Sequence, residues 1–189
     1  FTIFRLGKSS NQSLNIINNK YFDLTNHEYD DFLDLYLGAN CDFCITTSSG
    51  FDSTPYVFRR KLLYIQVPIS HFFSSSKRYF IFTMYHRVST SDKFLKLREI
   101  FDKNIHNADT NIKFKEQNIE LIPPSQIEIK NIINEAIEYF SNDCESSKKD
   151  NQIKFWKIYE DLVFSDINLN NFHKVFKAHF SEIQLNKLI

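Results

Sequence analysis

Excess charge is the first thing this chain lacks. Its 23 lysines and arginines balance 23 aspartates and glutamates, for a formal net charge of zero. A general nucleic-acid binder carries a basic excess to meet the phosphate backbone, so no nucleic-acid partner is expected. Long apolar runs are missing too: none approaches the roughly 18 consecutive residues of a membrane span, and the opening residues show no secretory pattern. Cysteine is scarce, with 3 in 189 residues. An odd count gives no disulfide framework. Cys41 and Cys44 form a C-x-x-C, but the redox version of that motif sits at a helix start, where the thiol pKa falls. Here it leads into a strand-like run whose alternation separates the two side chains. Buried structural cysteines are therefore expected. With no second C-x-x-C and no clustered histidines to offer zinc ligands, neither a metal nor a cofactor is expected.

What the chain does have is apolar mass. At 22.5 kDa, 42% hydrophobic and with 20 phenylalanines, it is long enough for one cored domain plus an appendage. The organising stretch is Cys41–Pro68. The apolar run Phe43–Thr46 stops at Thr47, Ser48, Ser49 and Gly50; Asp52, Ser53 and Pro55 follow, then a second apolar run, Leu62–Val67. Strand, small-residue turn, helix start and strand is the order of a βαβ unit. Gly50 suits a left-handed turn and close approach to a ligand. Asp52 or Ser53 suits a helix cap, with Pro55 in the first turn. Amides freed at such a helix start favour an anion, although a Ser/Gly turn of this kind is equally at home binding nothing.

The rest of the chain frames this unit. Thr2–Leu6 reads as a strand of the same parallel sheet, ending at Gly7-Lys8, and Tyr21–Leu24 as a short strand. Tyr29–Ala39 reads as a helix with Phe32, Leu33, Tyr36 and Leu37 on one face, Asp30, Asp31 and Asp34 on the other, and a stop at Gly38–Asn40. Ser70–Ser76 reads as a polar loop and Phe80–Tyr85 is left unassigned. Phe94–Phe101 reads as a short helix and Asn118–Ile122 as a last strand. Ser125 and Glu128 form a capping box before the apolar stripe Ile129, Ile132, Ile133, Ala136, Ile137 and Phe140. A polar linker at 141–151 separates a Rossmann-like domain, 1–140, from a helical extension, 152–189. In that extension Phe155–Val163 mark one helix, and Phe172–Phe180 a second. Opening at Phe1 inside a strand-like run, the chain reads as the C-terminal part of something longer.

The ordered set RLGK, YDDFLDLYLGANCDFCITTSSGFDSTPYVFRRKLLYIQVP, FLKLREI and NIELIPPSQIEIKNIINEAIEYF resembles a family of bacterial glycosyltransferases linked to surface-carbohydrate biosynthesis. The resemblance implies the C-terminal, donor-binding half of a GT-B-like enzyme, with the N-terminal half and the catalytic base missing. It implies a nucleotide-sugar donor and a saccharide or lipid-linked acceptor. The setting it implies is cytoplasmic, with peripheral association at the inner membrane face. Similarity to nucleotide-sugar 2-epimerases places Ser48, Ser49 and Gly50 on the phosphates and Asp52 on the ribose, with Thr47 also in the substrate-binding loop; the chain departs from that pattern where Phe51 replaces a second glycine and where no Glu follows Asp52 before Pro55. Arg5, Gly7 and Lys8 then belong at the cleft mouth, where a guanidinium can grip a diphosphate. His71 and Tyr85-His86-Arg87 are further cleft candidates. An epimerase or hydrolase half, and a non-catalytic α/β interaction module, stand as alternatives.

Overall fold

A computed structural model describes residues 1–7, 14–25, 30–69, 76–144, 150–165 and 177–189. Four strands, β3 (Phe43–Thr46), β4 (Lys61–Val67), β5 (Tyr79–Thr83) and β8 (His179–Phe180), pair in that order, all parallel. The architecture is α/β, a Rossmann-like parallel sheet covered by helices on both faces.

Parallel strands sandwiched between helices should be apolar without alternation. All five residues of β5 and five of the seven in β4 are buried. On one face Leu62, Tyr64, Tyr79 and Ile81 pack against α3 (Leu97–Asp102), α4 (Asn111–Glu116), α6 (Asp150–Ser165) and α7 (Glu182–Leu188). On the other, Leu63, Ile65, Phe80 and Phe82 pack against Ile132, Ala136, Tyr139 and Phe140 of α5 (Gln126–Ser141). Each large apolar side chain so buried stabilises by about 1.5–3 kcal/mol.

The long helix forms where the capping box places it. The Ser125 hydroxyl accepts the Glu128 amide at 3.3 Å, and Glu128 Oε2 accepts the Ser125 amide at 2.9 Å. The segment Tyr29–Ala39 corresponds to α1 (Asp31–Asn40), capped by Asp30, whose carboxylate accepts the amides of Phe32 and Leu33. Tyr29 lies outside the described residues. Gly38 does not end this helix. It is the buried contact of α1 with α2 (Ser53–Val57), where a Cβ would meet Thr54 Cγ2 at 2.7 Å.

Several expectations are corrected. Thr2–Leu6 does not join the main sheet: among the described residues β1 (Ile3–Arg5) pairs with β2 (Tyr21–Asp23) alone, in a separate parallel ribbon. Ile3, Phe4 and Phe22 remain exposed there, as a strand buried on both faces would not be. Phe80–Tyr85 resolves into β5 and the start of β6 (Tyr85–Val88), and Asn118–Ile122 into β7 (Ile119–Ile122), antiparallel to β6. Phe180 is not helical. It lies in β8, beside Ile81 of β5, so the C-terminal segment supplies a strand of the main sheet as well as helices. Phe172–Phe176 fall outside the described residues. No helix among the described residues is long and apolar enough to cross a membrane.

Candidate functional site

In open α/β sheets, ligands settle at the carboxyl ends of the strands. Three strand ends converge on that edge here. β3 runs into the Thr47–Gly50 loop. β4 carries a bulge at Gln66, whose φ is +61°, before Pro68 and Ile69. β5 ends at Thr83 and turns into Tyr85.

Thr47, Ser48, Ser49 and Gly50 are all exposed. Ser48 and Gly50 take φ of +63° and +86°, so the chain reverses through two left-handed residues. A Cβ built on Gly50 would meet nothing within 4 Å, which leaves open space over the loop. Much of the loop's polarity is used internally. The Ser48 amide donates to Thr46 Oγ1 at 3.0 Å, and the Gly50 amide to Asp52 Oδ1 at 3.0 Å. The Ser53 hydroxyl donates to the Gly50 carbonyl at 2.7 Å. Asp52 is thus the residue before α2, yet its side chain caps nothing in the helix; it turns back onto the loop. With only five residues, α2 adds little dipole for an anion.

Beneath the loop lie Cys44, Tyr64 and Tyr79. Burial pushes the Cys44 thiol up to about 12, with the neighbouring Cys41 and the Asp52 charge adding to it. Burial and then Asp52 raise the Tyr64 phenol; burial and then Tyr56 raise Tyr79. The Cys41 thiol is raised as well, chiefly by burial. These thiols are protonated at neutral pH, the reverse of a redox C-x-x-C. Among the described residues, no group of three or more His, Cys, Asp or Glu could hold a metal ion.

Arg5 is engaged elsewhere. Its Nη1 donates to Asp23 Oδ2 at 2.8 Å, across the β1–β2 pairing. The same carboxylate accepts the hydroxyl and amide of Thr25, the amide of Leu14 and the hydroxyl of Tyr21. The Thr25 hydroxyl leads in holding Asp23 well below the usual carboxylate range, against the opposing effect of desolvation. Gly7 follows with φ +139° and open space around it. Lys8 and His71 lie outside the described residues. The loop is therefore one continuous group, while Arg5 belongs to the β1–β2 ribbon.

Of Tyr85-His86-Arg87, His86 is fully buried and Arg87 pairs with Glu120 at 2.7 Å and Asp92 at 3.5 Å. Tyr85 heads a cluster that sequence reasoning missed. Its hydroxyl donates to Glu128 Oε1 at 2.8 Å; Lys187 Nζ reaches both, at 3.1 Å and 2.9 Å, and sits 4.3 Å from the Tyr85 ring centroid. Burial raises the Glu128 carboxyl, but the Ser125 amide, Lys187, Tyr85 and the Ser125 hydroxyl outweigh it and bring it down to about 2. The capping box marked Glu128 in the sequence, but nothing local marked Lys187. The cluster offers a cation and hydroxyls beside the end of β5. No family model, curated protein or solved structure matches this chain.

Proposed function

We propose that this chain is the donor-binding half of a glycosyltransferase, holding a nucleotide sugar over the carboxyl ends of β3 and β4. The observation that carries the reading is the exposed Thr47–Gly50 loop, with its two left-handed residues and open space above Gly50, at the ligand edge of a parallel sheet. Backbone and hydroxyl donors at such a turn suit a diphosphate. Transfer to a saccharide or lipid-linked acceptor, at the cytoplasmic face of the inner membrane, would draw its base from a second α/β half. Calorimetric titration with UDP, GDP, CDP and ADP tests the reading. One of them should bind, and more tightly than its nucleoside; failure of all four overturns it. Sustained transfer by this chain alone would overturn the assignment as a half.

A second reading is a non-catalytic interaction module. What favours it is α1, whose apolar side faces outward: Phe32 is 73% exposed and Tyr36 54%. Under that reading none of the four nucleotides binds.

A further inference from the structure

Helices on a globular surface normally turn their apolar stripe inward. Helix α1 is mounted the other way round. Gly38 is its buried contact, seated on Thr54 and Phe51, and Asp34 and Leu37 flank it. The opposite arc carries Phe32, Leu35, Tyr36 and Ala39, an i, i+3, i+4, i+7 stripe. Its three large members are exposed, and the rings of Phe32 and Tyr36 stack on each other at 6.2 Å. On α2, which packs against α1, Tyr56, Val57 and the following Phe58 are exposed as well.

The charges at the two ends of α1 say what covers this stripe. Asp30, Asp31 and Asp34 crowd the first turn. At the last turn, Arg60 Nε donates to the Ala39 carbonyl at 2.5 Å, with Arg59 exposed beside it. Asp42 follows α1 closely in sequence, one acid beside these two arginines. The patch is therefore apolar in the middle, acidic at one end and basic at the other. Two copies related by a two-fold axis place each patch against itself. With the helices antiparallel, the acidic turn of one lies beside the arginines of the other, and the helix dipoles oppose favourably. An anionic lipid surface would instead be repelled by the aspartates.

We propose that α1 is the seam of a symmetric homodimer, packed antiparallel on α1 of a second copy. A ten-residue helix covers only about 15 Å, less than the roughly 800 Å² per partner of a standard interface needs. The seam therefore extends onto the exposed residues of α2.

Sedimentation equilibrium across the micromolar range tests this. The unmodified protein should dimerise reversibly. The double variant Phe32→Asp/Tyr36→Asp should raise the dimer dissociation constant about tenfold or more; its far-UV circular dichroism should match the parent's, and its melting point should lose the parent's rise with protein concentration. A charge arm tests the antiparallel register: Asp31→Lys and Arg59→Glu chains should each dimerise more weakly alone, and prefer each other when mixed. A protein monomeric throughout, a double variant that dimerises as well as its parent, or charge variants with no preference for each other would each overturn the proposal. In the first case the stripe is covered by a different protein or domain.

Discussion

Gln184 completes the end of β5 from 101 residues away. The Thr83 amide donates to Gln184 Oε1 at 2.9 Å, while Gln184 Nε2 donates to the Thr83 carbonyl at 2.9 Å and also to its hydroxyl. A side-chain amide here does what a neighbouring strand would do. Gln152 treats Phe180 the same way, taking its amide at 3.2 Å and giving to its carbonyl. Both glutamines and Thr83 are buried, so water cannot substitute for either one.

Gln184→Leu should therefore destabilise strongly. It strands a buried amide and a buried carbonyl, each worth about 1–3 kcal/mol when unsatisfied. Urea unfolding should show a loss of about 2–5 kcal/mol, larger than an exposed substitution such as Gln126→Leu gives. A loss under 1 kcal/mol would mean that the site relaxes or admits water.

Acid should act through His86. It is 2% exposed, its ring lies 5.9 Å from that of Phe114, and neither nitrogen makes a hydrogen bond among the described residues. Burial brings its pKa down to about 4; a Met84 backbone group near the ring opposes this weakly, but outside hydrogen-bonding geometry. Between pH 6.5 and 4 the unfolded chain takes up a proton that the folded one refuses. Stability must fall as pH drops through that window, by about 3 kcal/mol from this group, and level off below it. His86→Phe should flatten this limb while changing stability little at pH 8, because no hydrogen bond is lost. Chemical denaturation from pH 8 to pH 4 reads both slopes; parallel curves for the two proteins would exclude His86.

Gly38→Ala sets two effects against each other. Alanine gains about 0.8–1.0 kcal/mol of helix propensity over glycine, but its Cβ meets Thr54 Cγ2 at 2.7 Å. Overpacking of this sort costs about 1–3 kcal/mol, so the single variant should melt lower. Thr54→Ser removes the offending methyl. In that background Gly38→Ala should cost less or stabilise, and a thermal double-mutant cycle measures the difference.

Asp52 separates two roles in the loop. If the loop cradles a diphosphate, the Asp52 carboxylate competes for the Gly50 amide and repels the ligand. Asp52→Asn should then tighten nucleoside diphosphate binding about fivefold, since a unit charge some 4 Å away is worth about 1 kcal/mol in water. A ribose partner would give the reverse, with weaker binding of diphosphate and nucleoside alike. Gly50→Val should weaken binding in either case, and it should also lower the melting point because valine resists a φ of +86°. Titration of each variant distinguishes the outcomes.

How far all this could be read beforehand follows the reach of each interaction. Ser125 and Glu128 are three residues apart, so the capping box announced α5. The β3–turn–β4 unit is continuous in sequence, and its parallel pairing follows from the need to cross over between the strands. Arg5 was legible as a charge at a strand end, but its partner Asp23 is specified only by the β1–β2 register. β8 is two residues long, within an apolar stretch that reads as helical, and its strand identity comes entirely from Phe80 and Ile81. Asp52 lay in an expected position, while the direction of its bond depended on the left-handed turn before it.

The parallel sheet also imposes an order of events on synthesis. β5 stays open along one side until β8 and Gln184 exist, about 100 residues later. At about 5–20 residues per second, a growing chain would carry Leu62, Tyr64, Tyr79 and Ile81 without their final cover from α6 and α7 for roughly 5–20 s. During that interval a run of apolar strands with an unpaired edge is available to other nascent chains. The protein's hazard is thus concentrated before its fold is complete, and holding factors that shield strand edges should raise its yield more than any gain in the stability of the finished molecule.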